Sequence, residues 1–245
     1  MVRLPVSGLR VDIRPPGGTE DILLSDAAER DRALALALIT RLSTVGEPAE
    51  LTVHDFEALL LQLHRLVFGD RIEADATCRC HRRINIAFAT SEYLRARAPR
   101  RPRAVTPAAE LSWFKLDGEH GSFRLPTAGD QIAIAGEVDP VAALTARCLR
   151  PPHRSARIER AMAALAPPLS GKVSGRCPYC EAAVAINFDV PTFVLAELQV
   201  QSAQIYDDVH WLAGHYHWSE EHILALPAHR RRRYVELVAA DRGMA

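Results

Sequence analysis

Four of the five cysteines in this 245-residue chain constrain its fold more than any hydrophobic pattern does, because they fall as two pairs about one hundred residues apart in matching surroundings. With Cys80 aligned on Cys180, the residues that follow match in type: Ile84 with Val184, Ile86 with Ile186, Phe88 with Phe188, Tyr93 with Phe193 and Leu94 with Val194. The chain therefore carries one unit twice, at about 70–94 and about 171–194, each a cysteine turn followed by an alternating strand and an apolar segment. The second copy opens with Cys177-Pro178-Tyr179-Cys180. That spacing is a knuckle, a tight turn whose backbone amides point at two thiolates so that both can bind one metal ion at roughly 2.3 Å.

A structural zinc takes four ligands, so the knuckle needs a second pair, and Cys78 and Cys80 supply it. Two hairpins sharing one Zn2+ make a ribbon held by Cys78, Cys80, Cys177 and Cys180. The first pair is spaced C-x-C, and the repeat register leaves Thr77 where a cysteine would align with Cys177. A one-residue bulge then has to bring Cys78 to the metal, or His81 replaces it. The competing readings are packed hairpins that have lost the metal and a set of oxidisable thiols. A four-cysteine site leaves no open coordination position, which disfavours catalysis at the ion. Cys148 has no partner at ligand spacing and reads as a small buried apolar residue.

The odd cysteine count suits a reducing compartment better than a disulfide framework. The N-terminus lacks the apolar stretch of a signal peptide, and the longest aliphatic run, 33–39, is too short to span a bilayer, so a cytoplasmic protein with no membrane partner is expected. Thirty basic residues balance thirty acidic ones, which removes the global field that draws a protein onto nucleic acid.

Local patterns place the remaining elements. Leu9, Val11 and Ile13 alternate with charged residues, predicting an N-terminal strand closed by a turn at Pro15-Pro16-Gly17-Gly18. Leucines every fourth residue predict a helix from about Asp26 to Leu42. A second helix is capped by Thr52, with Asp55 at its N-terminal dipole and Phe56, Leu59, Leu60, Leu63 and Val67 as its buried stripe, and it stops at Gly69. The five arginines and two prolines of 95–103 read as an exposed connection. A hairpin turns at 117–121, and helices start at Thr127, at Asp139-Pro140 and ahead of Ile158. A long helix from Thr192 to Tyr216 and two shorter ones, from Ser219 and Pro227, complete the pattern. The fold class expected is α+β: predominantly helical, with a bipartite zinc ribbon of two cysteine-knuckle β-hairpins and an N-terminal strand. It forms a single intertwined unit over 1–245, with an inserted hairpin and helices at about 105–167 and a C-terminal helical segment at about 192–240.

No nucleophile elbow, phosphate-binding loop, dinucleotide fingerprint or H-E-x-x-H motif occurs, so no catalytic residue and no small-molecule substrate are expected. The histidines from His210 to His222 are not spaced i and i+4 with their neighbours and read as interface or capping residues. Residues 219–234 have a helix-turn-helix outline, and the run Arg230 to Arg233 could meet phosphates. A zinc-ribbon nucleic-acid-binding regulator is therefore the alternative function, and the neutral net charge weighs against it.

Several segments in this order carry a resemblance: Leu51-Thr-Val-His-Asp-Phe-Glu-Ala-Leu-Leu-Leu, Phe68-Gly-Asp, Phe123-Arg-Leu-Pro-Thr-Ala-Gly-Asp130, Cys177-Pro-Tyr-Cys180, Asp207-Asp-Val-His-Trp-Leu-Ala213, Trp218-Ser-Glu and Leu226-Pro-Ala-His-Arg-Arg. The chain resembles the zinc-ribbon baseplate proteins and baseplate hub assembly chaperones of T-even-like phage tails and extracellular contractile injection systems. The resemblance implies a non-enzymatic structural or chaperone-like role, with other baseplate or hub proteins as partners. The C-x-C spacing at Cys78 departs from that pattern and puts one ligand in question.

Overall fold

The computed structural model describes residues 1–241 and 243. A short antiparallel pair, β1 (Val2–Arg3) and β2 (Arg10–Val11), opens the chain. The alternating strand is thus shorter than its pattern, and Ile13 makes only an isolated bridge to Ser43. The Pro-Pro-Gly-Gly segment is no mere turn, because α1 (Gly18–Asp26) starts on its last glycine. A Cβ on Gly18 would lie 2.6 Å from the Leu224 Cα, so a side chain there would hold the C-terminal helices off this one.

The helix expected from Asp26 begins five or six residues later, as α2 (Arg32–Leu42). Asp31 accepts from the Leu34 amide at 2.8 Å and so fixes the start, an N-cap that outcompetes helical continuation through 27–30. A 3-10 turn at Pro48–Glu50 leads to α3 (Val53–Phe68), where Thr52 caps the Asp55 amide as its position predicts. The Asp55 carboxylate also accepts from the Val6 and Ser7 amides, each at 2.8 Å, tying the N-terminal loop to the helix start. Gly69 ends α3 at φ +91°.

Next come the hairpin β3 (Arg71–Thr77) and β4 (Arg83–Ala89), then α4 (Thr90–Ala96). An inserted unit follows: β5 (Val105–Pro107), β6 (Trp113–Leu116), β7 (Ser122–Arg124), α5 (Ala128–Ala133), α6 (Pro140–Cys148), β8 (Leu149–Arg150) and α7 (Ala156–Leu165). The expected hairpin is the middle of a four-stranded antiparallel sheet in the order β5-β6-β7-β8. Its turn uses Gly118 and Gly121 at positive φ. Thr127 and Asp130 form a reciprocal capping box, and Asp139 caps the Ala142 amide just before Pro140.

The second hairpin, β9 (Gly171–Arg176) and β10 (Ala183–Phe188), leads into α8 (Val190–Ser202) and α9 (Ile205–Tyr216). A single helix from Thr192 to Tyr216 is therefore incorrect. The break at Ala203 and Gln204 follows from packing, since Val194, Leu195 and Leu198 serve the main core while Leu212 serves a separate C-terminal cluster. That cluster is completed by α10 (Glu220–Ala225), capped by Ser219, and α11 (Ala228–Asp241). The architecture is mixed helix and strand with small antiparallel sheets, and among the described residues no helix is long and apolar enough to cross a membrane.

The main core joins residues from Leu4 to Leu198, with α3 at its centre and Phe56, Leu59, Leu60, Leu61 and Leu63 all fully buried. Each such side chain stabilises the fold by about 1.5–3 kcal/mol through burial. The same helix holds the second hairpin in place. Glu57 accepts from the Ser170 amide at 3.0 Å and its hydroxyl at 2.8 Å, while His54 Nδ1 lies 2.6 Å from the Pro167 carbonyl. Loss of solvent around Glu57 raises its carboxyl pKa despite the donors from Ser170.

The arginine run on α11 is not a uniform phosphate-facing stripe. Arg231 is buried, pairing with Asp21 of α1 at 2.5 Å and Asp208 of α9 at 3.0 Å, and Arg233 pairs with Glu236. Removing one partner from such a buried set leaves an uncompensated charge, so these residues lock the C-terminal helices onto α1.

Candidate metal centre

Each hairpin delivers its cysteines from the turn at its tip, and the two turns differ by one residue. In the second, the Cys177 amide donates to the Ala182 carbonyl at 2.9 Å and the Glu181 amide to the Cys177 carbonyl at 2.9 Å. The first repeats both bonds, from Cys78 to Arg82 at 3.0 Å and from His81 to Cys78 at 2.9 Å. Glu181 and His81 both take positive φ, +55° and +62°, the left-handed conformation that returns each chain to its strand. Strand register closes the comparison: Thr77 pairs with Arg83 as Arg176 pairs with Ala183. Cys78 is thus the counterpart of Cys177, and Thr77 the counterpart of Arg176. The repeat runs at an offset of 99 before the turn and 100 after it. This corrects the alignment of Thr77 with Cys177, and it replaces the expected bulge with a shortened turn.

The tips meet. Strand β10 contacts β3, and Ile84, Ile86 and Val184 pack beneath the cysteines. Deeper in, Phe88 and Phe188 meet edge to face at 5.5 Å, with Tyr93 stacked on Phe88 at 4.9 Å. The Tyr93 hydroxyl donates to the Leu169 carbonyl at 2.5 Å, joining the first repeat to the start of the second.

Above this apolar wedge the sulfurs of Cys78, Cys80, Cys177 and Cys180 lie within 4.8 Å of one another. Cys78 Sγ is 3.5 Å from Cys180 Sγ, and Cys80 Sγ is 3.8 Å from Cys177 Sγ. A tetrahedron with metal–sulfur bonds of roughly 2.3 Å has edges of about 3.8 Å, so the four thiols can hold a metal ion. All five cysteines are free. Cys78 and Cys177 are buried, Cys80 is half-buried and Cys180 is exposed.

The electrostatics of the two turns differ. Burial works against ionisation of Cys177, but the Tyr179 and Cys180 amides and the thiols of Cys78 and Cys180 donate to it and bring it down to about 7. Cys78 receives the Cys80 amide alone, and burial with the neighbouring thiols of Cys180, Cys177 and Cys80 pushes it up to about 12. A bound cation would favour the thiolate form of every sulfur in the cluster.

All four residues expected as ligands come together, whereas His81 stands outside the cluster. Cys148, at the end of α6, is buried and its thiol is raised to about 11 by desolvation. The C-terminal histidines act locally: His222 Nδ1 lies 2.7 Å from the Ser219 hydroxyl, and His217 is the left-handed residue that ends α9. Sequence reasoning missed Arg82, which lies 4.7 Å over the exposed Tyr179 ring and bridges the two knuckles. No spacing rule signals a contact between turns so far apart in the chain. Comparison with family models, curated proteins and solved structures returned no match to the chain.

Proposed function

We propose that the chain is a non-enzymatic structural or assembly component of the baseplate of a phage-tail-like contractile injection system, stapled by one structural zinc. One observation carries the zinc part of this reading: two hairpins far apart in sequence converge to place four thiols at metal-binding separation. An all-thiolate set favours zinc among common cellular ions, and four protein ligands leave it no position for water or substrate. Cys78, Cys80, Cys177 and Cys180 would hold the ion, whose double positive charge would offset their ionisation and cross-link the repeats. The baseplate placement rests on the ordered resemblance of segments from Leu51 to the Leu226-Pro227 junction. The regulator reading is weakened by the burial of Arg231 between Asp21 and Asp208, which withdraws it from any phosphate.

Elemental analysis of the purified chain is expected to return one zinc per molecule, lost in Cys177→Ser and kept in His81→Ala. A folded protein without metal would overturn the zinc assignment. Flanking genes for sheath, tube and spike, and recovery of the chain with their products on co-expression, are the outcomes expected of the baseplate assignment. Sequence-dependent binding of duplex DNA at physiological salt, lost when Arg232 is neutralised, would replace it with the regulator.

A further inference from the structure

The five arginines of 95–103 fall in nine residues without an acid, and the expected connection is shorter than its pattern, because Arg95 lies in the last turn of α4 and only 97–103 runs outside it. None of Arg95, Arg97, Arg100, Arg101 and Arg103 forms an ion pair among the described residues. Elsewhere on the surface Arg71 pairs with Glu73, Arg150 with Glu110 and Arg154 with Glu159, while arginines such as Arg10 and Arg176 are unpaired among the described residues, so it is the density of cations in 95–103 that sets the segment apart. The loop is also fixed in place. The Arg100 amide donates to the Ala164 carbonyl of α7 at 2.7 Å, the Val105 amide donates to Pro102 at 3.0 Å, and Arg97 lies 3.8 Å over the Tyr93 ring. Mutual repulsion is thus concentrated on a segment that is not free to spread.

Between this loop and α7 is a notch of about 290 Å³, lined by Pro102, Leu116, Ala161, Arg157 and Arg160. Leu116 and Ala161 are buried, so the notch is apolar at its base, and the two exposed arginines flank it. Arg157 is already engaged, donating to the Asp117 carbonyl at 2.8 Å and the Gly118 carbonyl at 3.3 Å and pairing with Glu119 at 3.5 Å, which leaves Arg160 as the flanking arginine open to a partner's carboxylate. Arg160 donates through Nε to the Ala156 carbonyl at 3.0 Å and has no carboxylate partner among the described residues. Forked donors held in place lose little freedom on meeting a carboxylate.

We infer that the 95–103 loop and the α7 notch form a docking site for an acidic segment of a protein partner, which seats one apolar side chain on Leu116 and Ala161 between the arginines. An apolar anchor with a charged rim is how compact protein contacts combine affinity with register. A nucleic acid fits less well, because the apolar base of the notch serves no phosphate. The inference rests on the assembly reading only in taking the partner to be a protein.

The test is fluorescence anisotropy on the full zinc-loaded chain with a labelled twelve-residue peptide of glutamates and aspartates around a central leucine. Binding is expected to weaken about tenfold in Arg100→Glu/Arg160→Glu, and about threefold when serine replaces the peptide's leucine. Unchanged affinity in the double variant, or indifference to the leucine, would overturn the docking site. So would oligo-dT of equal length binding more tightly than the peptide. Zinc content, read on the same samples, keeps the two ideas apart: a failed peptide result with one zinc per chain removes the docking site and leaves the staple standing.

Discussion

The two cysteine hairpins are copies that reach the same place by different turns. The second uses Cys-Pro-Tyr-Cys and aims two amides at Cys177, whereas the first, one residue shorter, aims one at Cys78. The flanking hydrogen bonds and the left-handed residue after each second cysteine are unchanged. What the deletion removes is therefore a donor rather than a position. A hairpin's frame fixes where a sulfur sits even when the turn that carries it is one residue shorter.

The largest expected effect tests whether the unequal turns hold one shared ion. Metal affinity of this kind appears as folding free energy of order 10 kcal/mol, because the unfolded chain has no preformed site. Cys177→Ser and Cys78→Ser should each lower the thermal midpoint of the whole chain, because each removes one of the four ligands of the shared ion. Hydrogen exchange should rise in both α3 and α8, which pack on each other beneath the hairpins. Loosening confined to residues after Pro168 would show that the second knuckle works alone.

Below the cysteines the copies differ in depth. Phe188 is 2% exposed, while its counterpart Phe88 lies at the edge of two clusters and is only half-buried. Phe188→Ala should cost about 3–5 kcal/mol in denaturant unfolding and Phe88→Ala less. Equal losses would mean that the wedge is symmetric and that the difference in burial carries no weight.

Much of this layout is readable from local chemistry. Thr52, Thr127 with Asp130, Asp139 before Pro140 and Ser219 start their helices where side-chain capping dictates, since each signal is complete within four residues. The four cysteines were legible because a knuckle is equally local. Features set by distant partners were not. The pairing of β8 with β7 joins Leu149 to Phe123, and Arg231 is taken from an apparent surface run by Asp21, 210 residues away. The break at Ala203 depends on two cores that no single helical period can report. The position of the deletion was hidden because apolar matches after the turn look the same at either offset, and only backbone pairing separates Thr77 from Cys78.

A third contrast concerns the aromatics after each strand. Tyr93 is covered by the Arg97 guanidinium, while Phe193 faces His64 of α3 at 5.5 Å. Burial lowers His64 from 6.5 to about 4, so the folded chain holds the imidazole neutral. Its contribution is therefore full above about pH 6.5 and is lost progressively as pH falls from there through 4, at a cost on the order of 3 kcal/mol. His64→Leu should flatten the wild-type decline between pH 6.5 and 4, measured as the difference between the variants at each pH so that acid release of metal cancels. An unchanged slope would remove His64 as the acid-sensitive cover of the second repeat.

The smallest effect addresses what the turns share. His81 and Glu181 both adopt a left-handed conformation that costs a residue with a Cβ about 1–2 kcal/mol, and glycine adopts it without that strain. Glycine also adds about 0.4–1 kcal/mol of unfolded-state entropy to be lost on folding, so His81→Gly and Glu181→Gly should each stabilise the zinc-loaded chain by only about 0.5–1 kcal/mol. Their gains should match, because both residues make the same backbone bond to the first cysteine of their turn. Calorimetry with metal content read in parallel separates the outcomes. A gain at Glu181 with a loss of zinc at His81 would show that the imidazole, and not Cys78, completes the ligand set. Matched gains with zinc retained would show instead that the shortened turn keeps the same exit geometry after losing a residue.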